Sequence, residues 1–432
     1  MVESGASRIR FAPVASPTRR LRELLSGGGS IAVAMAVMNV ATYGFTMIAA
    51  RMLGPRSYGA LASLMATLLV ITVLQLGLQA TAARRIAAEP EHVAQIEKTI
   101  LGVTYRAALA LGVVLLLAAP LLNAVLRLDS LLTAALVSVV SIPFTVMGAQ
   151  AGILQGERRW QALSVLYVLS GVPRLLIGTA LIAWQPSELA ALLGTGLGAC
   201  APVIAGWWLL RRPRDPGVSS EEHGFRRVIR ESVLNSQVLL AFFALSNADI
   251  VVARNVLDGH DAGLYAGGLI LTKAVLFLPQ FVVVIAFPSM STTSERRRAL
   301  TGSLGLVAVL GAATTAGAAL LPQLALIFVG GDRYDEIADH LWIYAILGTV
   351  LSMLQLLVYS VLARQGQRSV YLVWAAFVAM IGLGLSTDTL RGLLTAVITV
   401  DALLLGALLA VSLHVIRAQP ELIATPEPEP GG

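Results

Sequence analysis

From residue 30 to residue 416 the chain alternates long apolar runs with short polar breaks. Runs of roughly 18–25 residues, enough to carry a helix across about 30 Å of hydrocarbon, fall at 30–50, 60–82, 100–122, 131–154, 161–184, 189–210, 232–255, 263–288, 300–321, 340–362, 369–386 and 392–416. The pattern predicts an all-α polytopic membrane protein with about 12 transmembrane helices. The first run is read as a retained span behind a cytoplasmic tail, because no short apolar segment with a cleavage site precedes it.

The basic residues test that count. With the N-terminus inside, 22 of the 31 Lys and Arg fall in inner segments, 6 in outer loops, and 3 (Arg106, Arg174, Lys273) within spans. This bias alternates loop by loop, as the positive-inside rule requires, and an odd number of missed helices would scramble it. Both termini are therefore expected in the cytoplasm. Composition agrees: 56% of residues are hydrophobic, 13% are charged, and mean hydropathy is +0.78. The single cysteine, Cys200, excludes an internal disulfide.

The longest break, 211–230, carries six arginines and divides the spans into two sets of six. The expected organisation is a cytoplasmic tail (1–29), a six-helix bundle (30–210), a basic linker (211–230), a second bundle (231–416), and a disordered Pro/Glu-rich tail (417–432). The halves echo each other. "AARMLGPRSYGALASL" after the first span resembles "VARNVLDGHDAGLYAGGL" after the seventh, pairing Arg51 with Arg254 and Gly59 with Gly263. "LQGERRW" at 154–160 resembles "RQGQRSV" at 364–370, and Pro120 pairs with Pro322. Six is even, so the halves share one orientation and the implied axis runs along the membrane normal.

These stretches carry a family resemblance. "AARMLGPRSYGALASLMATLLV", "NADIVVARNVLDGHDAGLYAGG" and "LQGERRW" resemble the polysaccharide transporter branch of the multidrug/oligosaccharidyl-lipid/polysaccharide (MOP) flippase superfamily, in particular Wzx-type oligosaccharide flippases. The resemblance covers about 30–416. It implies two six-helix bundles in a V, as in MATE transporters, which alternate between inward-facing and outward-facing states. It also implies a polyprenyl-pyrophosphate-linked glycan as cargo and a cationic central cavity. The first span of this chain departs from that pattern in having no intramembrane charge.

Five charges lie inside spans: Arg106, Arg174, Lys273, Asp249 and Asp401. Each costs roughly 2.5–3.5 kcal/mol at a helix centre on insertion scales, so each is expected at a bundle interior or a wet cleft. Under the resemblance, Arg174, Lys273 and Arg106 are the candidate substrate cations. Alternatives stay open for each: a structural latch for Arg174 beside Pro173, an ion pair for Lys273, and snorkelling to the inner face for Arg106. Asp249 and Asp401 are candidate coupling residues. Ser232, Asn235, Ser246 and Asp249 share one helical face of the seventh span, and Asn39, Tyr43 and Thr46 share the matching face of the first. Both stripes are expected to face the cleft between the halves, with Lys273 within reach of Asp249.

Other chemistry is thin. The five histidines are scattered, without metal-ligand spacing, and no GxxxxGK[ST] phosphate loop occurs. No cofactor or metal is expected. The expected partners are the lipid-linked glycan, membrane lipids, and a polysaccharide polymerase or glycosyltransferase, with no nucleic acid. The sequence supports a flippase first, since cations outnumber acids inside the spans. A cation-coupled drug antiporter of the same superfamily comes second. A membrane-embedded lipid-sugar glycosyltransferase or polymerase comes third, with "GGDRYDEIADH" as its only acid-rich loop.

Overall fold

A computed structural model describes residues 28–212, 225–276, 296–363 and 367–418. The N-terminal tail, most of the basic linker, the end of the eighth expected span, Gln365-Gly366 of the second repeat motif and the C-terminal tail lie outside the described residues. The described part is helical: α1 Gly28–Ala88, α2 Val93–Leu117, α3 Ala119–Val125, α4 Leu131–Gly156, α5 Trp160–Trp184, α6 Glu188–Leu210, α7 Phe225–Val256, α8 Gly259–Leu276, α9 Arg296–Leu320, α10 Pro322–Val329, α11 Leu341–Ala363, α12 Gln367–Leu385 and α13 Leu390–Ala418. Among the described residues nine helical stretches are long and apolar enough to cross a bilayer, and Val370–Leu385 is a shorter apolar helix. One of the nine, α1, is two spans. With α1 counted twice, and with Val370–Leu385 and α8 included, the expected twelve are recovered.

The first expected loop, 51–59, is not a loop. Helical backbone continues through it, broken only at Gly54, whose φ of 73° and ψ of 174° suit a residue without a Cβ. Pro55 follows, where its fixed φ and missing N–H suit the first turn of the next helix. Phe45 and Met65, on opposite sides of Gly54, both touch Arg174, so the two segments of α1 run side by side. The linker is also shorter than expected, because α7 begins at Phe225.

The repeat is visible in the element order. The third and ninth spans each end in a break followed by a short helix with proline in its first turn, Ala119–Val125 and Pro322–Val329. The third expected span, 100–122, runs through its break, whereas the ninth, 300–321, ends at it, and Pro120 and Pro322 mark the two positions. The two halves share one apolar core, in which Phe45, Tyr58 and Leu61 of the first half pack with Phe242, Tyr265, Tyr334 and Tyr344 of the second. A second cluster around Leu78, Ile100 and Leu154 takes in Val228, so the start of α7 leans on the first half. Large apolar side chains point outward around the bundle, Leu117 with 77% exposure and Trp184 with 82%. Such a surface suits lipid as the solvent.

The Gly54 turn of α1, α3, the C-terminal end of α7 and α10 share one face of the bundle, the far face. It lies opposite the face bearing residues 28 and 418.

Candidate functional site

The five intramembrane charges separate into three settings. Arg174 sits in α5 just after Pro173. Its guanidinium stacks over the Phe45 ring at 5.1 Å and Nη2 approaches the Met65 sulfur at 3.3 Å. Phe45 belongs to the core shared by the halves, which places Arg174 against that core from the first half. Its Nε is buried and lacks a hydrogen-bond partner. The side chain as a whole is only half-buried. A guanidinium held by a ring and a thioether keeps most of its donor capacity for another partner.

Lys273 is also half-buried, in α8 of the second half. Its Nζ donates to Asn247 Oδ1 at 2.6 Å. The expected direct pair with Asp249 is not what the geometry gives. Asp249 Oδ2 accepts from Tyr265 Oη at 2.9 Å, and Oδ1 accepts from the Ile250 N–H at 2.9 Å. Lys273 and Asp249 still lie within electrostatic range of each other.

Asp249 is 3% exposed and Tyr265 0%. The aspartate therefore points into the second bundle, not across the cleft to the stripe on α1. Helical spacing correctly groups Ser246 and Asp249 on one face. The neighbour that face meets is set by packing, and here it is α8. Asp401 of α13 joins this interior: it is 2% exposed, lies within electrostatic range of Asp249, and has a buried Oδ1 without a partner. The Tyr344 hydroxyl is likewise buried and unpartnered, and its ring meets that of Tyr265 at 5.9 Å. Two carboxylates, two phenols and a nearby lysine thus form one polar cluster inside the second half.

Arg106 stands apart from both groups. It is exposed on α2 beside Tyr105 and near Leu109, in a helix that packs chiefly on α4. Of the stripe on α1, Tyr43 reaches across the seam and its hydroxyl donates to the Phe328 carbonyl at 2.9 Å. Asn39 is half-buried, and Thr46 bonds back to the Thr42 carbonyl. Asn235 lies on α7, outside the residues whose side chains are described.

Sequence reasoning missed Arg254. It counted as an outer-loop charge, yet it is 8% exposed and its Nε donates to the Leu126 carbonyl at 2.9 Å. Its match to Arg51 in the repeat was the available signal. Among the described residues no group of three His, Cys, Asp or Glu could hold a metal ion.

The fold defines a class first. The chain superposes on an inward-facing multidrug resistance MATE family transporter of the MOP superfamily with a TM-score of 0.70, at 16% identity over 90% of this chain and 96% of that one. An outward-facing structure of a multidrug resistance MATE family transporter gives 0.59 at 16% identity, over 91% and 96% of the two chains. A MOP superfamily transporter from Pyrococcus furiosus gives 0.57 at 15% identity, over 90% and 95%. The architecture is that of a MATE-like transporter, two six-helix bundles in a multi-pass membrane protein. No curated protein gives a significant match to the sequence. The polysaccharide biosynthesis protein family matches residues 24–294, more than half of the chain, and the chain belongs to that family.

Proposed function

We propose that the protein is a flippase that carries a polyprenyl-pyrophosphate-linked oligosaccharide from the inner to the outer leaflet of the bacterial cytoplasmic membrane. It does so by alternating access between its two bundles, for cell-surface polysaccharide synthesis. The observation that carries the reading is a separation of charge. Arg174 and Lys273 are half-buried, one in each half, whereas Asp249 and Asp401 are enclosed in the second bundle. The cleft then meets its occupant with positive charge, and a pyrophosphate suits that field. Arg174 offers a planar fork of donors and Lys273 a point charge. The glycan crosses through the polar seam while the polyprenyl chain stays in lipid.

The enclosed carboxylates suit coupling better than cargo binding. A proton taken up at Asp249 or Asp401 changes the charge inside the second bundle, and entry down the membrane potential supplies about 2.3 kcal/mol per charge per 100 mV. A drug or cation antiporter of the same fold ranks second, because it would need its acids at the cleft. Catalysis by "GGDRYDEIADH" ranks third: it forms a 3-10 turn with Tyr334 and Ile337 buried and its acids pointing outward. Cytoplasmic termini follow from the charge bias, and a polymerase or glycosyltransferases are the natural partners.

The test is surface glycan in cells carrying Arg174→Ala or Lys273→Ala, with membrane insertion checked in parallel. Both variants should insert and lose at least about tenfold in export, the loss of one charge-assisted bond or more. Wild-type export by both would remove the cationic site from the account.

A further inference from the structure

The contacts that close the far face fall at repeat-related positions. Arg254 and Asn255, at the end of α7 in the second half, reach the end of α3 in the first. Arg254 Nε donates to the Leu126 carbonyl at 2.9 Å and its second nitrogen to the Arg127 carbonyl, while Asn255 Nδ2 donates to the Val125 carbonyl at 2.8 Å. The repeat partner of α3 is α10, and the repeat partner of the α7 end is the end of the first segment of α1. Those two ends also meet. Tyr43 donates to the Phe328 carbonyl, Arg333 Nη1 to the Met52 carbonyl at 3.3 Å, and Tyr334 Oη to the Ala50 carbonyl at 3.3 Å. Arg51, the counterpart of Arg254, lies along Gly331, so that a Cβ there would stand 3.2 Å from its guanidinium.

We infer that these two contacts form a reciprocal latch, in which each half caps helix ends of the other and holds the far face shut. The chemistry favours arginine on the α3 side. The last carbonyls of a helix have no partner within it and carry the negative end of its dipole. A guanidinium satisfies two of them and leaves none for the next turn of a sliding helix. The two latches are unequal. Arg254 is buried and doubly bonded, whereas Arg51 is exposed. The α7–α3 side is therefore the stronger one.

Between the latches the halves touch backbone to backbone. A Cβ on Gly59 would lie 2.9 Å from the Gly263 Cα, and one on Gly263 would collide with the Pro55 carbonyl. These glycines are themselves repeat partners, so the local axis passes between them. Beside the contact lies a polar cavity of about 260 Å³ lined by Arg56, Arg127, Asp129, Glu188, Arg254 and Asp258. That cavity gives Arg254 somewhere to go when its bonds break. Asp258 accepts the N–H groups of His260 and Asp261 at 2.7 and 2.9 Å, which holds its carboxyl below the usual range and keeps it charged.

The inference rests on the alternating-access reading but not on the identity of the cargo. Its test needs no substrate. In a Cys200→Ser background, spin labels at Leu131→Cys and Asp335→Cys report the separation of the halves at the far face, with the protein in lipid nanodiscs. Arg254→Ala should raise the long-distance population roughly tenfold, and Arg254→Lys should raise it less. Gly263→Val, which wedges the seam directly, should do the same. Tyr334→Phe, which deletes one bond of the weaker latch, should act in the same direction by a smaller factor, and serves if the Arg254 variants do not fold. An unchanged distance distribution in the folded Arg254 variants, or in Tyr334→Phe where those fail, overturns the latch. A shifted distribution with normal glycan export keeps the latch and counts against the cargo reading instead.

Discussion

Replacing Lys273 by methionine, alone and together with Asp249→Asn, separates an electrostatic partner from a bystander. Lys273 bonds Asn247 and Asp249 bonds Tyr265, so any interaction between the two charges is through space. At an effective dielectric constant near 20, two unit charges within one another's range interact by a few kcal/mol at most, about 4 kcal/mol at 4 Å and less beyond. Lys273 is partly exposed, which places the effect at the lower end. Lys273→Met leaves a buried carboxylate without its counter-charge, a loss of up to about 3–5 kcal/mol in fully buried pairs. Asp249→Asn removes the same charge from the other side. Unfolding of wild type, both single variants and the double variant in one detergent completes the cycle. The account expects a coupling of about 2 kcal/mol, with the double variant more stable than Lys273→Met alone. It also expects the double variant to stay inactive in export, because the cation is gone. Single effects that add to within about 0.5 kcal/mol mean no interaction, and the charge-separated site would then be misdescribed.

Two further outcomes probe the enclosed carboxylates. Tyr265→Phe should lower stability by about 1–3 kcal/mol, the cost of a buried acceptor losing its donor, and an unchanged unfolding midpoint would contradict the hydrogen bond to Asp249. Asp401→Asn should be at least as stable as wild type, since it removes a buried charge with an unpartnered oxygen. It should also flatten the dependence of export on external pH. A wild-type pH profile in that variant would take Asp401 out of coupling.

The spans were legible because hydropathy reports solvent, and lipid as solvent demands unbroken apolar helices. The repeat was legible because Gly59, Gly263, Pro120 and Pro322 each serve a backbone need that recurs in both halves. The tight turn at Gly54 was harder to see, since a one-residue break looks like a longer loop when polarity alone is read. Side-chain direction was least legible. Ser246 and Asp249 share a face by helical spacing, but only the packing of α7 on α8 turns that face toward Tyr265. Arg254 reads as a loop charge in sequence because its partners, the carbonyls at the end of α3, have no side-chain signature. Lys273 bonds Asn247, a neighbour that its position along the span does not reveal.

Transport by the purified protein in liposomes tests the central claim most directly. The substrate is a short-chain polyprenyl-pyrophosphate oligosaccharide, and the readout is its arrival in the opposite leaflet, scored by an impermeant glycosidase. The account predicts flipping by wild type, a loss of at least about tenfold in Arg174→Ala and in Lys273→Ala, and little flipping of the same glycan on an uncharged lipid. Equal rates for the charged and uncharged substrates, or wild-type rates in both variants, would contradict it.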